Sequence, residues 1–163
     1  SPAIVLDADG DATYAPTHDF SAATVTGVGK ILQIVRATDA TDRSTTSTSF
    51  VDASISVTIT PQKNTSAIMI IWTHNGQKGT ASEFLRTSIT DASNNPISGA
   101  ETGLAGSTNA SQFNTVQTQI AYATPATLSA TTYKGRFSSN GGNSVLLRNG
   151  VSTGQLFAIE VSA

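Results

Sequence analysis

Cysteine is absent from the 163 residues. That removes disulfide scaffolds, thiolate zinc sites and cysteine nucleophiles from consideration. Charge is scarce as well: 12% of residues are charged and the formal net charge is -2. With a pI near 5.5 and no excess of Lys and Arg, nothing is available to neutralise phosphates, so nucleic acid is not an expected partner. The high net charge of a disordered tail is equally missing. No apolar run approaches the roughly 18 residues of a membrane span, so no membrane insertion is expected. The longest run, Ala67-Ile-Met-Ile-Ile-Trp72, has the length of a strand. The opening residues lack a basic n-region and a long h-region, so no signal peptide is expected. Helical periodicity is nearly missing too; its best window, residues 80–87, holds only a short apolar cluster with β-branched ends.

What is present is Ser and Thr, together roughly a quarter of the residues, with a period of two in hydrophobicity. Val51, Ala53, Ile55, Val57 and Ile59 alternate with Asp52, Ser54, Ser56, Thr58 and Thr60. This pattern predicts a strand with one dry and one wet face, ended by Pro61, which cannot donate to a ladder. Residues 30–36 and 67–73 are more evenly apolar, which suits strands buried on both faces. Further strands are expected over 84–91, 116–123, 128–137 and 155–161; in the last, Phe157, Ile159 and Val161 share a face. Asn75-Gly76, Asn140-Gly141-Gly142 and Asn149-Gly150 read as hairpin turns. Asn94-Asn95-Pro96 and Thr124-Pro125 are further breaks. Residues 41–49 read as an extended polar loop, and residues 92–112 as the largest candidate functional loop. Many short strands with regular turns predict an all-β sandwich or barrel. The first 29 residues hold too few apolar side chains to offset about 1–2 kcal/mol of backbone entropy per residue. They form a separate segment from the body at 30–163, one that must lie on the body, pack against another chain, or be disordered.

Catalytic constellations are thin. His18 and His74 are the two histidines, and no Gly-x-Ser-x-Gly elbow accompanies them. Glu83, Glu101 and Glu160 offer no spacing that selects a glycosidase pair, as a polysaccharide depolymerase would need. Asp7-Ala-Asp9-Gly10-Asp11 fails the EF-hand pattern, because Gly10 is fourth and His18 twelfth. The sequons at Asn64 and Asn109 are expected by accident in a chain this rich in Ser and Thr. No catalytic residue, metal or cofactor is therefore expected. Trp72 fits the core, in phase with Ile68 and Ile70. Around it, His74, Asn75, Gln77 and Lys78 would crowd a strand end and turn. With Asn109 in the later loop, they are the candidate ligand-binding residues for a glycan or protein surface.

A family resemblance then becomes visible. Lys30-Ile-Leu-Gln-Ile-Val35, Thr48-Ser-Phe-Val-Asp52, Ser56-Val-Thr-Ile-Thr-Pro61 and Ser66-Ala-Ile-Met-Ile-Ile71 resemble a head module of tail-fibre and related virion proteins of tailed bacteriophages. Leu85-Arg86 leading to Asn95-Pro-Ile97, Thr124-Pro-Ala-Thr-Leu-Ser-Ala-Thr-Thr-Tyr133 and Leu156-Phe-Ala-Ile-Glu-Val161 extend the likeness over most of 28–163. Asp9-Gly-Asp-Ala-Thr-Tyr14 resembles the β-turn units of fibre shafts, although His18 and Asp19 depart from the small apolar residues expected there. The resemblance implies a jelly-roll-like antiparallel β-sandwich head on a short β shaft, forming a homotrimer on the virion. Its expected partners are other virion proteins and a bacterial surface glycan or protein. It also leaves room for a capsid decoration or cement protein without a receptor. It supplies no binding residues of its own.

Overall fold

The computed structural model describes residues 29–80, 82–106 and 112–162, and among them no helix occurs. Ten strands follow in order: β1 (Ile31–Asp39), β2 (Arg43–Thr45), β3 (Val51–Ile59), β4 (Ala67–Lys78), β5 (Phe84–Asp91), β6 (Gly103–Gly106), β7 (Phe113–Ala123), β8 (Thr131–Ser139), β9 (Val145–Leu147) and β10 (Gly154–Val161). With β2 and β9 set aside, the pairing is nested: β5 with β6, β4 with β7, β3 with β8 and β1 with β10, all antiparallel. The chain is thus one long hairpin. Pairing of β10 with β4 and of β8 with β5 rolls it into two sheets, β1-β10-β4-β7 and β3-β8-β5-β6. That strand order is a jelly roll, an antiparallel sandwich as the sequence leads one to expect. Farther along β4, at Gly76–Lys78, β9 replaces β10 as neighbour, and β2 pairs onto β9.

The alternation in β3 does what its period requires. Ala53, Ile55, Val57 and Ile59 are buried and the residues between them exposed. A bulge between Asp52 and Ser56 is absorbed by Ser54 at φ 57°, whose N–H donates to Asp52 Oδ1 at 2.7 Å. The inner face of the first sheet brings Ile68, Ile70 and Trp72 of β4 beside Leu156 and Ala158 of β10. These pack with Ile55, Leu85, Ile89, Tyr133 and Phe137 of the other sheet. Trp72 lies flush on the backbone of β8: a Cβ on Gly135 would sit 2.8 Å from Trp72 Cζ2 and 2.9 Å from Ile55 Cγ2. Only glycine lets the tryptophan ring approach that strand so closely.

Several expectations need correction. Asn75-Gly76 is not a turn; both residues lie inside β4, paired with β7. The glycine is there for close packing, since a Cβ on Gly76 would fall 2.4 Å from Leu85 Cδ2. Asn149-Gly150 does turn, but the strands on either side of it bond to other neighbours rather than to each other. β1 is not buried on both faces: it is a sheet edge, and Ile31 and Ile34 are exposed. Leu128 lies in an exposed loop, because β8 begins only at Thr131. The polar loop at 41–49 contains β2, and the stretch 92–112 contains β6. The shaft-like segment through residue 28 lies outside the described residues, as does the aspartate cluster within it.

Candidate functional site

The four residues proposed for a loop tip sit on the central strand instead. His74 and Lys78 point inward, in phase with Ile70 and Trp72, and are 2% and 1% exposed. Asn75 and Gln77 face outward; Asn75 is half-buried, and Gln77 is buried and bonded by the Arg148 guanidinium. They do not form a tip because β9 occupies the edge of β4 at that point. The fifth residue, Asn109, lies outside the described residues.

His74 stacks on Trp72, with ring centroids 4.1 Å apart, and its Nε2 lies 3.2 Å from Gln117 Oε1. Burial pushes its pKa down to about 4, against the opposing pull of the Gln117 bond. The folded protein therefore holds His74 neutral where the unfolded chain takes up a proton, so stability falls as pH drops from 6.5 towards 4. Between pH 7 and pH 5 this loss is about 2 kcal/mol, at 1.36 kcal/mol per pKa unit. Unfolding free energies from urea titrations at the two pH values should differ by that amount, and His74→Gln should abolish most of the difference. An unchanged slope in the variant would show that this ring is not the titrating group.

A second feature lies where β4 and β8 run out. Glu83 is buried, and its carboxylate accepts from Gly141 N at 2.6 Å, Ser139 Oγ at 2.9 Å, Asn143 Nδ2 at 3.1 Å and Asn143 N at 3.2 Å. Burial alone would raise its pKa, but these donors outweigh it and hold the group down at about 2. The loop so gathered, Asn140-Gly-Gly-Asn-Ser144, is exposed. Ser139 N donates to Ser47 O, and Arg86 donates to Thr48 O, which draws in the exposed Thr48-Ser49 stretch. Polar loop tips of Asn, Ser and Thr thus share one end of the sandwich. The chain enters at the opposite end, where Gly29 lies against Val161 and Lys30 bonds Ser162. The twelve residues of β4 separate those ends by about 40 Å at ~3.4 Å per residue.

The third feature is the outer face of the β1-β10-β4-β7 sheet. Residues opposite one another across an antiparallel pair share a face. The register therefore aligns Ile31–Val161–Ala67, then Ile34–Ile159–Met69–Tyr122, then Arg36–Phe157–Ile71–Ile120. Ile34, Ile120 and Tyr122 are 57%, 55% and 57% exposed, and Met69, Ile71, Phe157 and Ile159 are half-buried. One charge stands on these rows, Arg36, lying over the Phe157 ring at 5.9 Å on the edge strand. A polar row, Thr38–Gln155–Thr73–Thr118, ends the patch. Four strands at ~4.8 Å and three rows at ~6.8 Å give roughly 400 Å² in projection. Monomers seldom leave an apolar area of that size without a use for it.

Neither the Glu83 staple nor this face is apparent strand by strand in the sequence. A signal for the face does exist: β1, β4 and β10 are each apolar on both sides, yet the two sheets of the described residues include no third layer to cover the outer side. The remaining glutamates are engaged as well. Glu160 is buried, and burial would raise its pKa, but bonds from Gln33 Nε2 (2.6 Å), Gln62 N (2.8 Å) and Lys63 N (3.2 Å) bring it below the ordinary value. Glu101 Oε2 accepts from Gly99 N. No cluster of three metal-ligating side chains occurs among the described residues.

No protein-family model and no curated protein matches the chain. Among solved structures, the tripod (BppUct-A-L) from the baseplate of bacteriophage Tuc2009 is similar at 16% identity, over 96% of this chain and 83% of that one, with a TM-score of 0.38. A likeness at that score carries no argument about this chain's role.

Proposed function

We propose that the chain is a non-enzymatic virion protein of a tailed bacteriophage: the trimeric head of a tail fibre, which attaches to the bacterial surface. The observation that carries the reading is polarity along the long axis. The leading residues join the body at Gly29, beside Val161, and polar loops are gathered at the far end by Glu83. A receptor-binding head needs its anchor and its contact surface at opposite ends. The sequence resemblance over most of 28–163 supports the same class, and the uncovered sheet face suits a subunit that works within an assembly. The enclosure of Glu83 and Glu160 by donors favours binding over hydrolysis, since neither is free to serve as a general acid. The receptor contact moves accordingly from the β4 residues to the loops at 46–49 and 140–144.

Purified full chain should adsorb to the host bacterium and block infection in competition with intact phage. Replacing Asn140 and Asn143 should weaken adsorption more than replacing exposed residues at the Gly29 end. Protein that neither adsorbs nor competes would overturn attachment. Labelling on the particle would then favour the alternative, a capsid decoration or other appendage without a receptor.

A further inference from the structure

From the outer face of the β1-β10-β4-β7 sheet we infer the contact between copies of this chain: this face packs against its counterpart in a neighbouring copy. The inference deepens the oligomeric part of the reading above and does not depend on the phage assignment. The first argument is size. A stable interface takes about 800 Å² from each partner, and a side-chain surface has more accessible area than its ~400 Å² projection. The patch is therefore large enough to form the apolar centre of such an interface, with the residues around it supplying the rim.

The second argument is chemistry. Interface centres are depleted in charge and enriched in aliphatic and aromatic groups, with polar residues at the rim. Here Ile71, Met69 and Ile159 occupy the middle, Tyr122 stands on one edge strand and Arg36 on the other, and a row of Thr and Gln closes the patch. Arg36 is placed to remain in water while its guanidinium covers Phe157. A partner of opposite charge has almost nothing here to recognise. A second copy of the same uncharged face does: two such sheets stack at about 10 Å with side chains interdigitated, as the two layers within each copy already do.

The third argument is continuity. The chain enters the described body at the corner of this patch, where Gly29 meets Val161 in the first apolar row.

The test uses solution mass of the full chain. The double variant Ile34→Lys, Ile120→Lys changes two side chains that are more than half exposed, so the fold should survive, as circular dichroism would show. Leu104→Lys with Leu128→Lys, at 61% and 60% exposed on other surfaces, is the control. The wild-type chain should sediment as a multiple of 16.8 kDa: two-fold where the faces stack in pairs, three-fold where three such faces meet around one axis, as the trimeric reading requires. The face variant should fall towards a single copy, and the control should not. A monomeric wild type at micromolar concentration, or a folded face variant that keeps the wild-type mass, would overturn the inference. An oligomer broken by the face variant in a protein that never adsorbs to cells would keep the interface and discard the attachment role.

Discussion

Trp72→Ala should lower unfolding stability by about 3–5 kcal/mol, the range for removing a fully buried large aromatic. Trp72 has no exposed surface, and it fills the space between β4 and the Gly135 backbone of β8. Its loss opens a void that the flanking strands cannot close, because both sheets are held by their ladders on either side of it. Trp72→Phe should cost less, since the smaller ring leaves a smaller void than alanine does. Trp72 is also the one tryptophan of the chain, so unfolding of both variants has to be followed by circular dichroism in urea. A loss below about 1 kcal/mol for the alanine variant would mean that the two sheets are not keyed together at this ring.

Glu83→Gln should cost about 2–4 kcal/mol, since bonds to a charged acceptor are worth roughly 1.5–3 kcal/mol and the donors of Ser139, Gly141 and Asn143 lose that acceptor. The substitution keeps the shape of the side chain but turns an amide donor towards Gly141, Ser139 and Asn143, which are donors themselves. Amide hydrogen exchange at Gly141 and Asn143 should accelerate by more than the global loss of stability explains, because the loop is released before the sheets separate. The wild-type protein should show the complementary acid signature. The folded pKa of about 2 lies below the ordinary 4.5. The stabilisation is therefore complete above pH 4.5 and fades as pH falls towards 2, below most of the window set by His74. Intact protection of both amides in Glu83→Gln would remove the carboxylate from its role in shaping the loop.

Much of the sandwich is legible in the chain. β5 is readable to the residue and β3 to within one, because alternation in β3 and flanking breaks at Pro61 and Asn94-Asn95-Pro96 leave little choice. Which strands are neighbours is not legible: Ile31 meets Val161 and Val57 meets Tyr133 through pairings that no local pattern announces. Asn75-Gly76 misleads for a related reason. Its dipeptide satisfies turn chemistry, but Gly76 is spent on making room for Leu85, a contact that exists only once the second sheet is in place. The residues suggested around Trp72 are placed along β4 rather than at a loop tip for the same reason. The Glu83 loop is hidden because its parts lie 56 to 60 positions apart. Asn140-Gly141-Gly142 is visible as a break, but nothing in it announces the carboxylate that organises it.

The nested pairing has a consequence for how the protein comes into being. The closing bond, Lys30 to Ser162, joins groups 132 positions apart, so the first strand must wait for the last before either has its ladder. Topologies dominated by such distant pairings fold slowly, on a scale of milliseconds to seconds. During synthesis, β1 stays without β10 until every strand from β2 to β9 has been made. Its isoleucines then stand bare in a crowded cell, where meeting the wrong neighbour competes with meeting the right one. Maturation should therefore be most sensitive to temperature and to chaperone supply, and much less so once the two ends have been zipped together.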